Sequence, residues 1–185
     1  KNISINSKMI KKNDVFFAIK GKRLDGNKFV PEALKNGSNL AIVNHLNKNF
    51  PLSKQVKVSN TLNFLTKCSS IFRESINAKI FAITGSCGKT SLKDLLSSTL
   101  NKLFKTSYSK KSYNNKYGVP VSLLNINQND IFGILEVGMD KKGEIDYLSK
   151  IIKPDIGIIT NISFAHIKNF KNISEIASAK GEIIN

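Results

Sequence analysis

The stretch IFAITGSCGKT, residues 80–90, decides the fold of this chain. It opens with a short apolar run of the kind that makes a buried strand, and it leads through two glycines into a helical pattern. Gly85 and Gly88 allow backbone conformations that turn successive N–H groups inward, and the N-terminus of a helix adds partial positive charge. The stretch therefore predicts a phosphate-binding loop between a strand and a helix. The alternative is a glycine turn that only begins an ordinary helix.

The loop supplies our candidates for ATP binding. They are Thr84, Gly85, Ser86, Cys87, Gly88, Lys89, Thr90 and Ser91. Lys89 is expected to reach the terminal phosphates, and the Thr90 hydroxyl is expected to ligate magnesium. Only the backbone N–H of Cys87 is needed, so its thiol is assigned no role. The spacing departs from the common G-x-x-x-x-G-K-[ST] pattern, because Ile83 stands five positions before Gly88. That departure argues against ordinary GTPases and motor ATPases.

The sequence around the loop predicts an α/β fold in two parts. Beyond the loop, apolar runs alternate with helical patterns, which is typical of parallel strands joined by crossover helices. The predicted strands there are residues 80–84, 106–109, 132–137 and 156–160, and helices follow Gly88, Val119, Gly143 and Ser174. Before the loop we expect a small mixed α/β domain with strands at 15–19 and 40–43 and helices at 30–35 and 60–76. We therefore predict a first domain at 1–77 and an incomplete, mostly parallel-sheet domain at 78–185.

Composition and charge limit the classes of function that this chain could have. No apolar run approaches the roughly 18–20 residues of a membrane span, and the Lys-rich start lacks a secretion signal, so we expect a cytoplasmic protein. Cys68 and Cys87 are too few for a disulfide framework and too isolated for a zinc site. The net charge of +16 is a reason to consider a nucleic-acid partner. Because the basic residues are scattered along the chain, we expect no such partner.

Further motifs, together with the loop, resemble the Mur ligase family of bacterial cell-wall synthesis. They are NNKYGVP at 114–120, EVGM at 136–139 with GEI at 143–145, TNI at 160–162 with AH at 165–166, and AKGEI at 179–183. The start of the chain is similar to the family's nucleotide-sugar domain, through FAIKG at 17–21 and through Asp25, Gly26, Phe29 and Ala33. The resemblance covers nearly the whole chain. It favours members that add D-alanyl-D-alanine, because members that add the third residue usually have Thr-rich segments at the place of Asn114 and Asn115.

The resemblance implies an activity, substrates and a cofactor. The family forms amides with ATP and Mg²⁺, and the favoured members join UDP-N-acetylmuramoyl-tripeptide to D-alanyl-D-alanine through an acyl phosphate. We expect a monomeric enzyme of peptidoglycan synthesis. Because the chain begins without Met and stops at Asn185 within a helical pattern, we expect a fragment. The family's third domain, which helps to close over ATP, is absent, so the fragment alone is expected to be inactive.

The resemblance also assigns roles to residues outside the loop. Glu136 ends an apolar strand and is expected to bind magnesium with Thr90, and His166 is expected near a second magnesium. The lysine at the place of Lys180 becomes a carbamate in related ligases, which requires a neutral amine and hence a lowered pKa. Helical spacing puts Ile176 and Ala177 near Lys180, which is compatible with burial, and the alternative is an exposed helix lysine. Lys89, Lys180 and His166 are thus our catalytic candidates.

Four polar residues are candidates for substrate binding. Asn114 and Asn115 lie after the second predicted strand of the loop domain, although Asn is also a common turn residue. Asn161 lies at another strand end and is a weaker candidate of the same kind. Asn6-Ser7-Lys8 stands at the place of an Asp-Ser-Arg type motif near the uridine, and only Ser7 matches that motif.

Other functions stay open at this point. The chain could belong to a Mur-type ligase that adds the third residue, or to a phosphate-loop kinase or nucleic-acid-stimulated ATPase, which the positive charge favours. A third alternative is a fragment that only binds nucleotide. Phosphate release with and without each substrate would separate these cases.

Overall fold

Parallel sheets organise both parts of the chain. The structure is a computed structural model that describes residues 2–21, 24–110, 113–164 and 169–184. Contacts divide the chain into two units, Lys1–Cys68 and Ser69–Asn185. Each unit holds one four-stranded sheet, and all strand pairs within the described sheets are parallel. The predicted α/β class is therefore confirmed.

The first unit has strands in the order β1-β2-β3-β4. Its strands are β1 (Ile3–Ser4), β2 (Val15–Phe17), β3 (Leu40–Val43) and β4 (Gln55–Lys57), with helix α1 (Val30–Lys35) and short 3₁₀ turns at Ser7–Met9, Gly26–Phe29 and Leu52–Lys54. Helix α1 ends before Gly37, whose φ of 100° suits a residue without a Cβ. The core of this unit consists of Ile10, Phe16, Ala18, Val30, Ala33, Ala41 and Val43.

Helix α2 (Thr61–Ser75) continues from the first unit into the second. Asn60 caps its start, because the Asn60 Oδ1 accepts a hydrogen bond from the backbone N–H of Asn63 at 2.9 Å. Leu65 and Ser69 are fully buried on one face, as the predicted spacing requires. The unit boundary thus falls inside a helix, whereas the predicted domain boundary follows it. The division into functional domains at 1–77 and 78–185 stays a prediction.

The second unit has strands in the order β6-β7-β5-β8. Its strands are β5 (Lys79–Thr84), β6 (Thr106–Tyr108), β7 (Phe132–Glu136) and β8 (Ile156–Ile159). Its helices are α3 (Lys89–Leu100), α4 (Gly118–Leu124), α5 (Glu144–Ile152) and α6 (Ile173–Gly181), followed by a 3₁₀ turn at Glu182–Ile184. The central strands β5 and β7 bury Ile80, Ala82 and Leu135 against apolar side chains of the helices. Their carboxyl ends carry the candidate site.

The predicted elements are present with bounds shifted by one or two residues. The predicted strand at 132–137, for example, ends at Glu136, and the helix expected after Val119 begins at Gly118. The very short strands β1 and β4 were not predicted, because two or three residues are too few to show an alternating pattern. No helix among the described residues is both long and apolar enough to cross a lipid bilayer.

Candidate phosphate and metal site

The glycine loop joins the end of β5 to the start of α3. Gly85 has a φ of 146° and Gly88 a φ of 79°, conformations that side-chain-bearing residues rarely adopt. A Cβ on Gly85 would also collide with the side chain of Thr160. Gly88 is the N-cap residue of α3, so the first N–H groups of that helix have no partner in the helix itself. The loop has the geometry of an anion-binding turn.

Lys89 folds back over this loop. Its Nζ donates to the backbone carbonyl of Gly85 at 2.7 Å, and the carbonyl of Ser86 lies at 3.5 Å. Both acceptors are neutral, so the positive charge of the ammonium group is not cancelled there. An anion bound in the loop would therefore interact directly with the positive charge of Lys89.

Glu136 is the buried acid of the site. Its side chain ends β7 and is only 2% exposed. One carboxylate oxygen accepts from the Thr90 hydroxyl at 2.8 Å, and the other accepts from the Asn114 amide at 2.8 Å. The backbone N–H of Glu136 donates to the Ser109 hydroxyl at 3.1 Å. All these partners are neutral, and together they hold the Glu136 side chain in one orientation.

These oxygens fit a hard divalent cation. Mg²⁺ prefers carboxylate and hydroxyl oxygens, keeps several waters, and needs only one or two protein ligands beside the phosphates. Thr90 and Glu136 supply two such oxygens 2.8 Å apart. The nearby Thr84 hydroxyl oxygen is buried without a hydrogen-bond partner in the described structure. No group of three or more His, Cys, Asp or Glu side chains suited to a metal occurs within residues 2–21, 24–110, 113–164 and 169–184. The predicted ligand His166 lies outside the described residues.

Lys180 is a buried lysine at the end of α6. It is 2% exposed, with Ile176 and Ala179 buried beside it, so the alternative of an exposed helix lysine is wrong. Burial, and after it the positive charge of Lys89, lower the pKa of the Lys180 amine from 10.5 to about 8. The amine has no hydrogen bond or ion pair within the part of the chain that the structure describes. The neutral form that a carbamate requires is therefore accessible near neutral pH.

A cavity of about 700 Å³ lies at the carboxyl ends of β5 and β7. Gly85, Lys89, Asn114, Gly138 and Lys180 line it. A cavity of this size accommodates a drug-sized ligand or a nucleotide's phosphates with part of a second substrate. The crevice at the carboxyl ends of parallel strands is where ligands bind in sheets of this kind.

The other predicted substrate residues have internal partners. The Asn115 Oδ1 accepts from the backbone N–H groups of Tyr117 and Gly118, at 3.0 and 3.1 Å, and so caps α4 at the edge of the cavity. The Asn161 Oδ1 accepts from the N–H of Cys87 at 2.9 Å. Ser7 belongs to the first unit, where its buried hydroxyl donates to Glu32.

Two contributors to the site were not predicted. The Ser109 hydroxyl holds the backbone of Glu136, and its position just after β6 was the available signal. The buried carboxylate of Glu182 accepts from the N–H groups of Gly143 and Asp146, and it caps α5 from a distant part of the chain. The sequence pattern contains no signal for a contact of that kind.

Comparisons with known proteins match both units. Residues 83–185 match the Mur ligase middle domain, and residues 1–73 match the domain described as Mur ligase family, catalytic domain. The chain is 38% identical to the UDP-N-acetylmuramoyl-tripeptide–D-alanyl-D-alanine ligase of Rickettsia prowazekii over 98% of its length, and 32% identical to that of Bacillus subtilis over 99%. It spans about 40% of the length of each of these relatives.

The chain is also similar to solved structures of ligases named MurF. A crystal structure of MurF from Acinetobacter baumannii superposes with a TM-score of 0.84 at 36% identity, covering 99% of this chain and 40% of that one. The MurF ligase of Thermotoga maritima in complex with ADP superposes with a TM-score of 0.81 at 32% identity, covering 100% of this chain and 43% of that one.

Proposed function

This chain belongs to the Mur ligase family, and we propose that the full-length protein joins D-alanyl-D-alanine to UDP-N-acetylmuramoyl-tripeptide in an ATP-dependent reaction. The names of the relatives support these substrates. The observation that carries the chemistry is the contact of Thr90 with buried Glu136, directly beside the glycine loop and Lys89. The product would be a precursor of peptidoglycan made in the cytoplasm by a monomeric enzyme.

In this proposal the loop binds the ATP phosphates. The free N–H groups at the start of α3 point to the anion, and the helix N-terminus favours negative charge there. Lys89 would exchange its carbonyl partner on Gly85 for phosphate oxygens, because a charge-assisted hydrogen bond is the stronger one. Thr84, Ser86, Cys87 and Ser91 complete the proposed binding loop.

Thr90 and Glu136 would hold the magnesium ion, with His166 proposed for a second one. A bound Mg²⁺ supplies positive charge that offsets the phosphate anions. Asn114 keeps the Glu136 carboxylate oriented through its amide, and Ser109 fixes the backbone at the same residue. The cation site would thus be shaped before the nucleotide arrives.

The amide bond forms in two steps. An oxygen of the tripeptide's terminal carboxylate attacks the γ-phosphorus of ATP, the bond to ADP breaks, and an acyl phosphate results. The amine of D-alanyl-D-alanine then attacks the acyl carbon, and the tetrahedral intermediate collapses with loss of phosphate and a proton. Lys89 and the cavity around it lower the repulsion between carboxylate and triphosphate in the first step.

Lys180 is proposed to act as a carbamate. The neutral amine attacks carbon dioxide and loses a proton, so a cation becomes a carboxylate-like anion at the cavity wall. The amine's pKa of about 8 makes the neutral form a substantial fraction at pH 7 to 8. Asn115 and Ser7 complete the set of proposed substrate residues, with Ser7 on the uridine side.

The test is a phosphate-release assay on the full-length protein with each substrate omitted in turn. The proposal expects release only when ATP, UDP-N-acetylmuramoyl-tripeptide and D-alanyl-D-alanine are all present. Release with a UDP-linked dipeptide and a diamino acid would indicate the ligase that adds the third residue. Release stimulated by RNA or DNA alone would indicate the ATPase that the charge of +16 favours.

A further inference from the structure

The phosphate loop is bound on one side to the segment that leaves β8. We call the hydrogen bonds between Ser86–Cys87 and residues 160–163 the loop clamp. The N–H of Ser86 donates to the Asn161 carbonyl at 3.1 Å, and the N–H of Cys87 donates to the Asn161 Oδ1 at 2.9 Å. A single asparagine therefore accepts from two successive amides of the loop.

The rest of the clamp holds the same two loop residues. The Thr160 hydroxyl donates to the carbonyl of Cys87 at 2.5 Å. The Ser86 hydroxyl donates to the carbonyl of Ser163 at 2.9 Å and accepts from its N–H at 3.0 Å. The clamp thus holds Ser86 by its backbone N–H and its hydroxyl, and Cys87 by its backbone N–H and its carbonyl.

This arrangement divides the loop into two parts. The amides of Ser86 and Cys87 already have protein partners, so they are not the groups that receive a phosphate. The amides from Gly88 into the first turn of α3 have no partner within the helix and stay available for an anion. The hydrogen bond from Thr160 also holds the Cys87 carbonyl toward the residue that follows β8. Without this bond the carbonyl oxygen, which carries partial negative charge, could turn toward the phosphates.

We propose that Asn161 is a positioning residue of the phosphate loop and not a substrate ligand. It holds the first half of the loop so that the second half presents its amides and Lys89 to a nucleoside triphosphate. Asn161 is itself exposed, but its side-chain oxygen is already used within the protein. The inference rests on the proposed ATP-dependent function. It assigns Asn161, which the sequence predicted as a substrate residue, to the binding of the nucleotide.

Kinetics of Asn161→Ala in the full-length enzyme test this role. Losing one neutral hydrogen bond that orders the loop is expected to raise the KM for ATP about tenfold. The KM values for the tripeptide substrate and for D-alanyl-D-alanine are expected to stay within about twofold of the original. Asn101→Ala removes an exposed carboxamide at the far end of α3 and serves as the matched control.

Asn161→Asp provides a second variant that keeps the acceptor for Cys87. It adds a negative charge near the phosphates, so its ATP KM is expected to rise at low salt and to recover as ionic strength increases. The Asn161→Ala defect is expected to persist at all salt concentrations, because a missing hydrogen bond is not screened. Recovery of the defect in both variants would contradict positioning through Cys87.

Direct ADP binding by calorimetry separates failure of this inference from failure of the proposed function. Weaker ADP binding in Asn161→Ala supports the clamp even if the protein ligates other substrates. An unchanged affinity for ADP, or a raised KM for the tripeptide with an unchanged KM for ATP, would overturn it.

Discussion

The two sheets have the same strand number and the same parallel pairing, yet the candidate phosphate and metal site lies on the second. In the first unit the order β1-β2-β3-β4 follows the chain, so every crossover moves in the same direction. In the second unit the order is β6-β7-β5-β8, and the chain leaves β5 toward one edge but reaches β8 on the other side. Such a reversal opens a crevice at the carboxyl ends of the strands. The glycine loop and Glu136 lie at that position.

The two units also differ in whether their buried polar groups have partners. In the first unit buried Asp14 accepts from the backbone N–H groups of Asn2 and Lys11, and Ser7 donates to Glu32. In the second unit the buried Lys180 amine has no hydrogen bond or ion pair among the described residues. Satisfied groups stabilise a fold, whereas uncompensated buried groups cost stability and favour a ligand.

The largest effect is expected from Lys89→Met in the second unit. Removing the ammonium group that contacts the loop backbone should lower kcat/KM for ATP by about 100-fold or more in the phosphate-release assay. Lys102→Met, at an exposed lysine beyond the end of α3, is the control and should change it less than twofold. An equal kcat/KM for ATP in the two variants would contradict a special role of Lys89 in phosphate binding.

Lys180→Met is expected to lose activity and gain stability. The folded-state pKa of about 8 lies below the ordinary 10.5, so charging this buried amine destabilises the fold. That cost is complete below pH 8 and disappears as the pH rises from about 8 to 10.5. In buffer free of carbon dioxide, Lys180→Met should therefore melt at least about 3 °C higher at pH 7. It should also lack the rise in stability between about pH 8 and pH 10.5 that is expected of the original protein.

Exposed Lys171 provides the control for this measurement. Lys171→Met should leave both the melting temperature and its pH dependence nearly unchanged, because its amine is solvated. A Lys180→Met protein that melts lower than the original, or that ligates normally, would contradict the assignment.

The sequence predicted most of this second unit for physical reasons. The strands β5 and β7 are continuous apolar runs, and polar residues that follow parallel strands must meet at one edge of the sheet. Thr90 and Glu136 were therefore expected together, and their side chains are in contact. Asn114 was predicted as a substrate residue, and its amide donates to the other carboxylate oxygen of Glu136. The loop clamp and the cap by Glu182 depend on three-dimensional neighbours that no local pattern encodes.

The first unit was harder to predict because its strands are short. Strands of two or three residues, such as β1 and β4, show no periodicity. The boundary between units was not visible either, because α2 continues across it as one amphipathic helix.

A moderate difference is expected between the thiol labelling rates of the two units. Cys87 is exposed in the loop, whereas burial raises the pKa of the Cys68 thiol in α2. Iodoacetamide is expected to modify Cys87 faster than Cys68, and ADP with Mg²⁺ should slow only the reaction of Cys87. Peptide mass spectrometry over time measures both rates in one sample. Protection of Cys68 but not Cys87 by ADP would place the nucleotide elsewhere.

The smallest functional effect is expected from Asp14→Ala in the first unit. The variant leaves the backbone N–H groups of Asn2 and Lys11 without their acceptor and should lower the free energy of unfolding by about 2 kcal/mol. Its KM for ATP should stay within about twofold of the original, since the loop lies in the other unit. A large change in ATP affinity would show that the two units are energetically coupled.

Calorimetric titration of the full-length protein with ADP, with Mg²⁺ and with EDTA, tests most directly whether Thr90 and Glu136 hold the metal beside the loop. We expect Mg²⁺ to strengthen ADP binding in the original protein. Thr90→Val and Glu136→Gln should both lose most of that gain while still binding ADP in EDTA. A gain from Mg²⁺ that is unchanged in both variants would contradict the account.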